Sequence, residues 1–113
     1  MEKIKNKLIE LYNESSKHSG YQILASNLEE IIDKSKLKIS SRYERERLNY
    51  IISKIDLKGK RILDIGGNTG FFTFESSLRG AESIDFYEGN DIPFFNKMRD
   101  LFFLDNQWMF NLS

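Results

Sequence analysis

Cysteine is absent from the chain, so neither a disulfide framework nor a thiolate metal site can be built. Histidine occurs once, as His18 in the polar turn "SSKHSG". With no second ligand or triad partner in view, it reads as a solvated loop side chain. Long apolar runs are missing too: no window approaches the roughly 20 apolar residues of a membrane span. The opening "MEKIKNKLIE" alternates charged and apolar residues and lacks the core and cleavage site of a secretory signal. These absences lead us to expect a soluble, cytoplasmic protein. Net charge is lacking as well, because 17 basic and 17 acidic side chains cancel. No overall field draws the chain to nucleic acid or to an anionic membrane, and neither is expected as a partner. The balance hides a split: residues 1 to 60 carry 13 Lys and Arg against 9 Asp and Glu, and the remainder carry 4 against 8. We read this as solvated helix faces rather than as two binding surfaces.

What is present suits one domain with one small core, since 113 residues bury roughly two thirds of the surface of the unfolded chain. Ile4, Leu8, Ile9 and Leu11 recur at helical spacing, and turn-forming residues around Gly20 end that segment. Ile23, Leu24, Leu28, Ile31 and Ile32 make a second helical stripe. Ser41 followed by Glu44 has the spacing of a capping box, which predicts a third helix from about Arg42 to Lys54. Its core face would be Tyr43, Leu48, Ile51, Ile52 and Ile55, with "ERER" as a solvated, ion-paired face.

Beyond a turn at Gly59 the periodicity changes. "RILDI" is a short strand and "GGNTG" follows it directly. Phe71, Phe72, Phe74 and Leu78 fit a helix closed by Gly80, and "ESIDFYE" is a second strand. Strand, glycine turn, helix and strand form a βαβ unit with parallel strands. Another helix begins near Asp91 and Pro93 with Phe94, Met98, Leu101 and Phe102 inward, and the last eight residues show no pattern. The phenylalanine pairs at 71–72, 94–95 and 102–103 read as core, or as surface that expects a cover. The expected division is a helical segment over residues 1–57 and a partial cofactor-binding unit over 58–113, forming a single compact body.

A strand that ends in glycines and enters a helix points backbone N–H groups at the carboxyl edge of the sheet, where open α/β folds bind ligands. Between Gly66 and Glu75 there is neither Lys nor Arg, which excludes a phosphate loop of the G-x-x-x-x-G-K-[ST] type. A dinucleotide fingerprint counted from Gly66 would need glycines where Asn68 and Phe71 stand.

The residues Asp64, Gly66, Asn68 and Gly70 resemble motif I of the class I, Rossmann-like S-adenosylmethionine-dependent methyltransferases, D-x-G-x-[GN]-x-G at the end of the first strand. Glu88, in "FYEGN", stands where that family has an acid at the end of its second strand. The resemblance implies S-adenosyl-L-methionine as cofactor, with Glu88 on the ribose hydroxyls and Gly66 and Gly67 allowing backbone approach to the methionine portion. Asn68 would take a glycine's place, and Gly70 would open the helix. It also implies a truncated form of the fold, with N-terminal helices, one βαβ unit and a C-terminal helix. The family's sheet has seven strands, and only two are legible, within residues 40 to 90. A premature stop or frameshift is therefore expected. Tyr43 with Arg42, Arg45 and Arg47 lies where such enzymes approach the cofactor mouth, but reads first as a packed tyrosine among solvated arginines. No catalytic residue is identified. The lead-in "SRYERERLNYI" is similar to methylases of small molecules and surface polysaccharides. Self-association, or pairing with a complementary chain through an exposed strand edge and an aromatic tail, is the alternative expectation.

Overall fold

The computed structural model describes residues 2–14, 21–102 and 108–111. His18 lies outside them. The elements in chain order are α1 (Glu2–Asn13), α2 (Glu44–Lys54), β1 (Arg61–Ile65), α3 (Phe71–Leu78), β2 (Ser83–Tyr87), α4 (Pro93–Phe102) and β3 (Trp108–Asn111). The architecture is mixed α/β around a small parallel sheet. β1 pairs with β2 in parallel, with Asp64 beside Phe86, and joins it through α3. That is the βαβ unit the glycine turn predicts. Gly80 closes α3 with φ +84°, and its N–H donates to the Ser77 carbonyl as the next N–H donates to Ser76.

Four expectations change. The stripe from Ile23 to Ile32 is not an α-helix: two 3-10 turns, Ser26–Leu28 and Lys34–Lys36, stand there. Leu24, Leu28 and Ile32 are nevertheless buried, so the apolar spacing recorded the core without fixing the backbone. The structure also corrects the start of α2, which begins at Glu44 rather than Arg42 because Tyr43 takes a left-handed bend at φ 62°. That bend turns Tyr43 outward at 73% exposure, and Ile51 and Ile55 are exposed with it, leaving Leu48 as the buried anchor of this helix. The third change is Glu44, fully buried instead of solvated. Its Oε2 accepts from the Ser41 hydroxyl at 2.7 Å and the Arg42 N–H at 2.8 Å, whereas its Oε1 has no partner among the described residues. Finally, the patternless tail contains β3, which lies parallel to β2 and makes the order β1-β2-β3. Trp108, Met109 and Phe110 are consecutive apolar residues, so this strand shows no alternation in sequence.

One main core joins α1, the 3-10 turns, α3, β2 and α4 through Leu8, Tyr12, Leu28, Phe74, Phe86 and Met98. A smaller one forms from Leu48, Leu57 and Phe71. At the centre Phe86 stacks on Phe95 with centroids 3.8 Å apart and planes 6° apart, and Phe74 also stacks with Phe95, at 5.2 Å. The glycine loop rests on this stack. A Cβ on Gly67 would lie 2.0 Å from the Phe86 ring, and one on Gly70 would lie 2.5 Å from Phe95. β1, at the sheet edge, turns Leu63 and Ile65 to solvent at 59% and 74% exposure. Parallel sheets are ordinarily covered on both faces. On β1 one face is left open, and the matching residues of β2, Ser83, Asp85 and Tyr87, are half-buried.

Gly67→Ala and Gly70→Ala are expected to lose stability by about 1–3 kcal/mol each through overpacking against the phenylalanine rings. Urea unfolding of the two variants, read as midpoint with unchanged slope, checks this. Losses below about 0.5 kcal/mol in both would show that the rings yield freely and that the loop does not rest on them.

Candidate cofactor loop

The loop from Gly66 to Gly70 sits at the carboxyl ends of β1 and β2. Gly66 and Gly70 have φ of +67° and +94°, and Asn68, with φ 51°, adopts the left-handed conformation that an asparagine tolerates. Space around Gly66 is open, so a ligand can approach its backbone. Gly67 differs, because its missing side chain is used inward by Phe86.

Sequence reasoning expects the loop N–H groups to point outward. Instead, those of Gly66, Gly67, Asn68, Gly70 and Phe71 turn back onto the protein. Gly66 and Gly67 donate to the Tyr87 carbonyl at 2.6 and 3.2 Å, and Gly70 donates to Gly67 at 2.9 Å. Asn68 N–H donates to Glu88 Oε1 at 2.8 Å. The first N–H of α3, at Phe71, donates to the side-chain oxygen of Gln22 at 3.0 Å. The Asn68 side chain accepts from the Tyr21 N–H at 3.0 Å. Residues 21 and 22, which belong to no sequence motif, thus close over the loop. No sequence signal marks them, since the contacts span 47 and 49 residues.

The two acids of the motif come together here. Asp64 is 9% exposed and its Oδ2 accepts the Thr73 hydroxyl at 2.7 Å. Burial raises its pKa above the ordinary 3.8; hydrogen bonds from the Thr73 hydroxyl and N–H oppose the rise, the Glu88 charge adds to it, and the Arg47 charge opposes it. Glu88 is 8% exposed, and its Oε2 accepts both the backbone N–H and the side-chain amide of Asn90 at 3.1 Å. Neither acid is in a salt bridge among the described residues. The cation that does enter the interior serves another acid: Arg45 Nη2 lies 3.0 Å from Glu75 Oε1, which also accepts the Ser26 N–H and hydroxyl at 2.7 and 2.6 Å.

Around the start of α2 the tyrosine departs from its expected arrangement, while Arg42 and Arg47 are exposed as expected and Arg45 is half-buried. Tyr43 is exposed, whereas Arg42 lies over the Tyr21 ring at 3.8 Å and Arg45 and Arg47 lie over Phe71 and Phe72 at 5.0 Å. Each covers an aromatic ring, and Arg45 is ion-paired with Glu75 as well. A cavity of about 300 Å³ between α2, β1 and α3 has Asp64, Arg47 and Phe72 on its wall. A second, of about 560 Å³, is lined by residues 52 to 57 and Arg79, where the chain enters β1. Its walls hold none of the motif residues, so we place the candidate site at the loop on chemical grounds. Among the described residues no group of three or more acids or histidines is placed to hold a metal ion, and no helix is long and apolar enough to cross a membrane.

Compared with protein-family models and with curated proteins, the chain finds no match in either.

Asp64→Asn checks the electrostatic reading. A raised folded pKa means that ionised Asp64 costs stability, a cost absent below about pH 3.8 and growing as pH rises through the folded pKa. The variant keeps an acceptor for Thr73 and loses the charge. It is therefore expected to melt at or above the wild-type temperature at pH 7 and to lose that advantage near pH 4. An advantage that instead grows on acidification would contradict the assignment.

Proposed function

We propose that the chain is a class I, Rossmann-like S-adenosylmethionine-dependent methyltransferase, or the cofactor-binding part of one. The observation that supports this reading is the pairing of Asp64 and Glu88. Two buried carboxylates flank one glycine loop at adjacent strand ends, without a salt-bridge partner among the described residues. Such a wall repels phosphate and suits a ligand that is cationic at one point and carries hydroxyl donors at another.

S-adenosylmethionine, with a sulfonium and a ribose diol, has that character, and the residues present fit it. Glu88 Oε2 receives two N–H donors from Asn90, and two ribose hydroxyls would bind there by displacing them. Asp64 adds negative charge beside the loop, and the open side of Gly66 leaves room for the methionine portion. Bound there, the cofactor would supply an electrophilic methyl group. The chain's own contribution is to bind and orient: the Phe86–Phe95 stack fixes the loop from below, and residues 21 and 22 fix it from the side. The acceptor we favour is a small molecule or a surface polysaccharide, on the resemblance of the segment around Arg42 to such methylases.

A second reading, an interaction protein that pairs with itself or with a complementary chain, is supported by the uncovered edge strand β1 with Leu63 and Ile65 exposed. Light scattering separates the two, because this reading requires a concentration-dependent oligomer.

Calorimetric titration with S-adenosylhomocysteine is expected to show binding to the wild-type chain. Glu88→Ala is expected to weaken it at least about tenfold, since a buried acceptor for two hydroxyls is lost. Absence of heat with the wild type would remove the cofactor assignment, and equal affinity in the variant would remove Glu88 from the site.

A further inference from the structure

Apolar side chains that reach solvent are gathered on one side of this molecule. Among the described residues, and with Leu78 excepted, the exposed large apolar side chains are Tyr43, Tyr50, Ile51, Ile55, Leu63 and Ile65, on α2, its two ends and β1. The two elements meet there. Ile51 of α2 and Leu63 of β1 share the wall of the cavity of about 300 Å³, and a neighbouring cavity of about 420 Å³ is lined by Glu46, Arg47, Tyr50 and Ile51. The outer edge of β1 has no strand beside it among the described residues, so its outward ladder groups are open to another strand.

The charges on this side decide what can cover it. Glu46, Tyr50 and Lys54 stand four residues apart on α2 and share one face, with the acid one turn before the tyrosine and the base one turn after it. Glu46 and Lys54 are exposed, and neither is in a salt bridge among the described residues. A face whose opposite charges lie symmetrically about its centre is complementary to its own copy turned end for end, because each acid then meets the other's base. β1 behaves in the same way about Leu63. Antiparallel pairing sets Leu63 opposite Leu63, Ile62 opposite Asp64 and Arg61 opposite Ile65, so no charge meets its like. Parallel pairing in register would set Glu46, Lys54 and Arg61 each against its own copy. Since Ile51 and Leu63 line one cavity, a single two-fold axis normal to the sheet passes close to both centres and inverts α2 and β1 together.

We infer that a second copy of this chain covers this side, with β1 against β1 and α2 against α2, both antiparallel, about one two-fold axis. This rests on the second reading above and names its partner. The three-stranded sheet is doubled across the axis, Leu63 meets Leu63, and Ile65 meets the stem of Arg61. Glu46 pairs with Lys54 of the second copy at two equivalent places. The strand pairing spans Arg61–Ile65 and stops short of Gly66.

Sedimentation equilibrium on full-length wild type, Glu46→Lys, Lys54→Glu and Leu63→Lys tests this, with circular dichroism to establish that each is folded. Wild type is expected to dimerise. Each charge variant sets like charges together at both contacts and is expected to weaken the dimer at least about tenfold. An equimolar mixture of the two charge variants is expected to dimerise about as tightly as wild type, because every contact then joins opposite charges again. Leu63→Lys, which puts a charge on the strand edge, is expected to give a folded monomer. The double exchange of Glu46→Lys with Lys54→Glu, expected to match the wild type, replaces the mixture if one single variant does not fold. Wild type that stays monomeric at all concentrations overturns the inference together with self-pairing in the second reading. A wild-type dimer that persists in the single charge variants or in Leu63→Lys, or that the mixture does not restore, overturns the inference alone, because the chain then pairs through another surface.

Discussion

The contact of the glycine loop with the stacked rings of Phe86, Phe95 and Phe74 is the constraint on which the rest of the molecule depends. A backbone can lie on a ring face only where no side chain intervenes, and Gly67 and Gly70 supply those two places. The stack takes one ring from α3, one from β2 and one from α4, so a single packing event fixes the three elements and the loop above them. The glycines of the motif are thus under two demands at once. Gly66 faces open space and suits a ligand, whereas Gly67 and Gly70 face inward and serve packing.

Polarity is arranged around that apolar centre in an uneven way. Asp64, Glu44, Glu75 and Glu88 are all buried, yet among them only Glu75 is ion-paired among the described residues. Burying a carboxylate without a cation is costly, and hydrogen bonds from Thr73, Ser41, Arg42 and Asn68 offset only part of it. Natural folds keep such groups where chemistry uses the field they create. Asp64 and Glu88 stand at the candidate loop, whereas Glu44 belongs to the cap of α2.

How much of this was legible in the sequence depends on the range of the interaction. The strand β1, the turn after it, α3, its glycine stop and β2 follow from local signals, because turn residues and periodicity act over a few positions. The helical reading of residues 23 to 32 failed for a related reason: spacing at three and four reports burial on one side, and two 3-10 turns satisfy it as well as a helix does. Tyr43 illustrates another limit. Its apolar ring belongs to the stripe of α2 by spacing, but a left-handed backbone at that residue points it to solvent, and no local pattern announces such a bend in a tyrosine. Of the candidate site, Asp64, the glycines, Asn68 and Glu88 were readable as a motif. Gln22 and the Glu75 cluster were not, because their partners lie 49 residues away.

Those long spans also bear on how the molecule forms. Closing a loop of about fifty residues costs conformational entropy before any contact rewards it, and contacts of that separation slow folding. The hydrogen bonds from residues 21, 22 and 26 to the βα unit therefore carry a larger closure cost than the contacts within that unit. Cut away from residues 2 to 28, the glycine loop would keep its seat on the phenylalanine rings and lose the two hydrogen bonds that Tyr21 and Gln22 add to it.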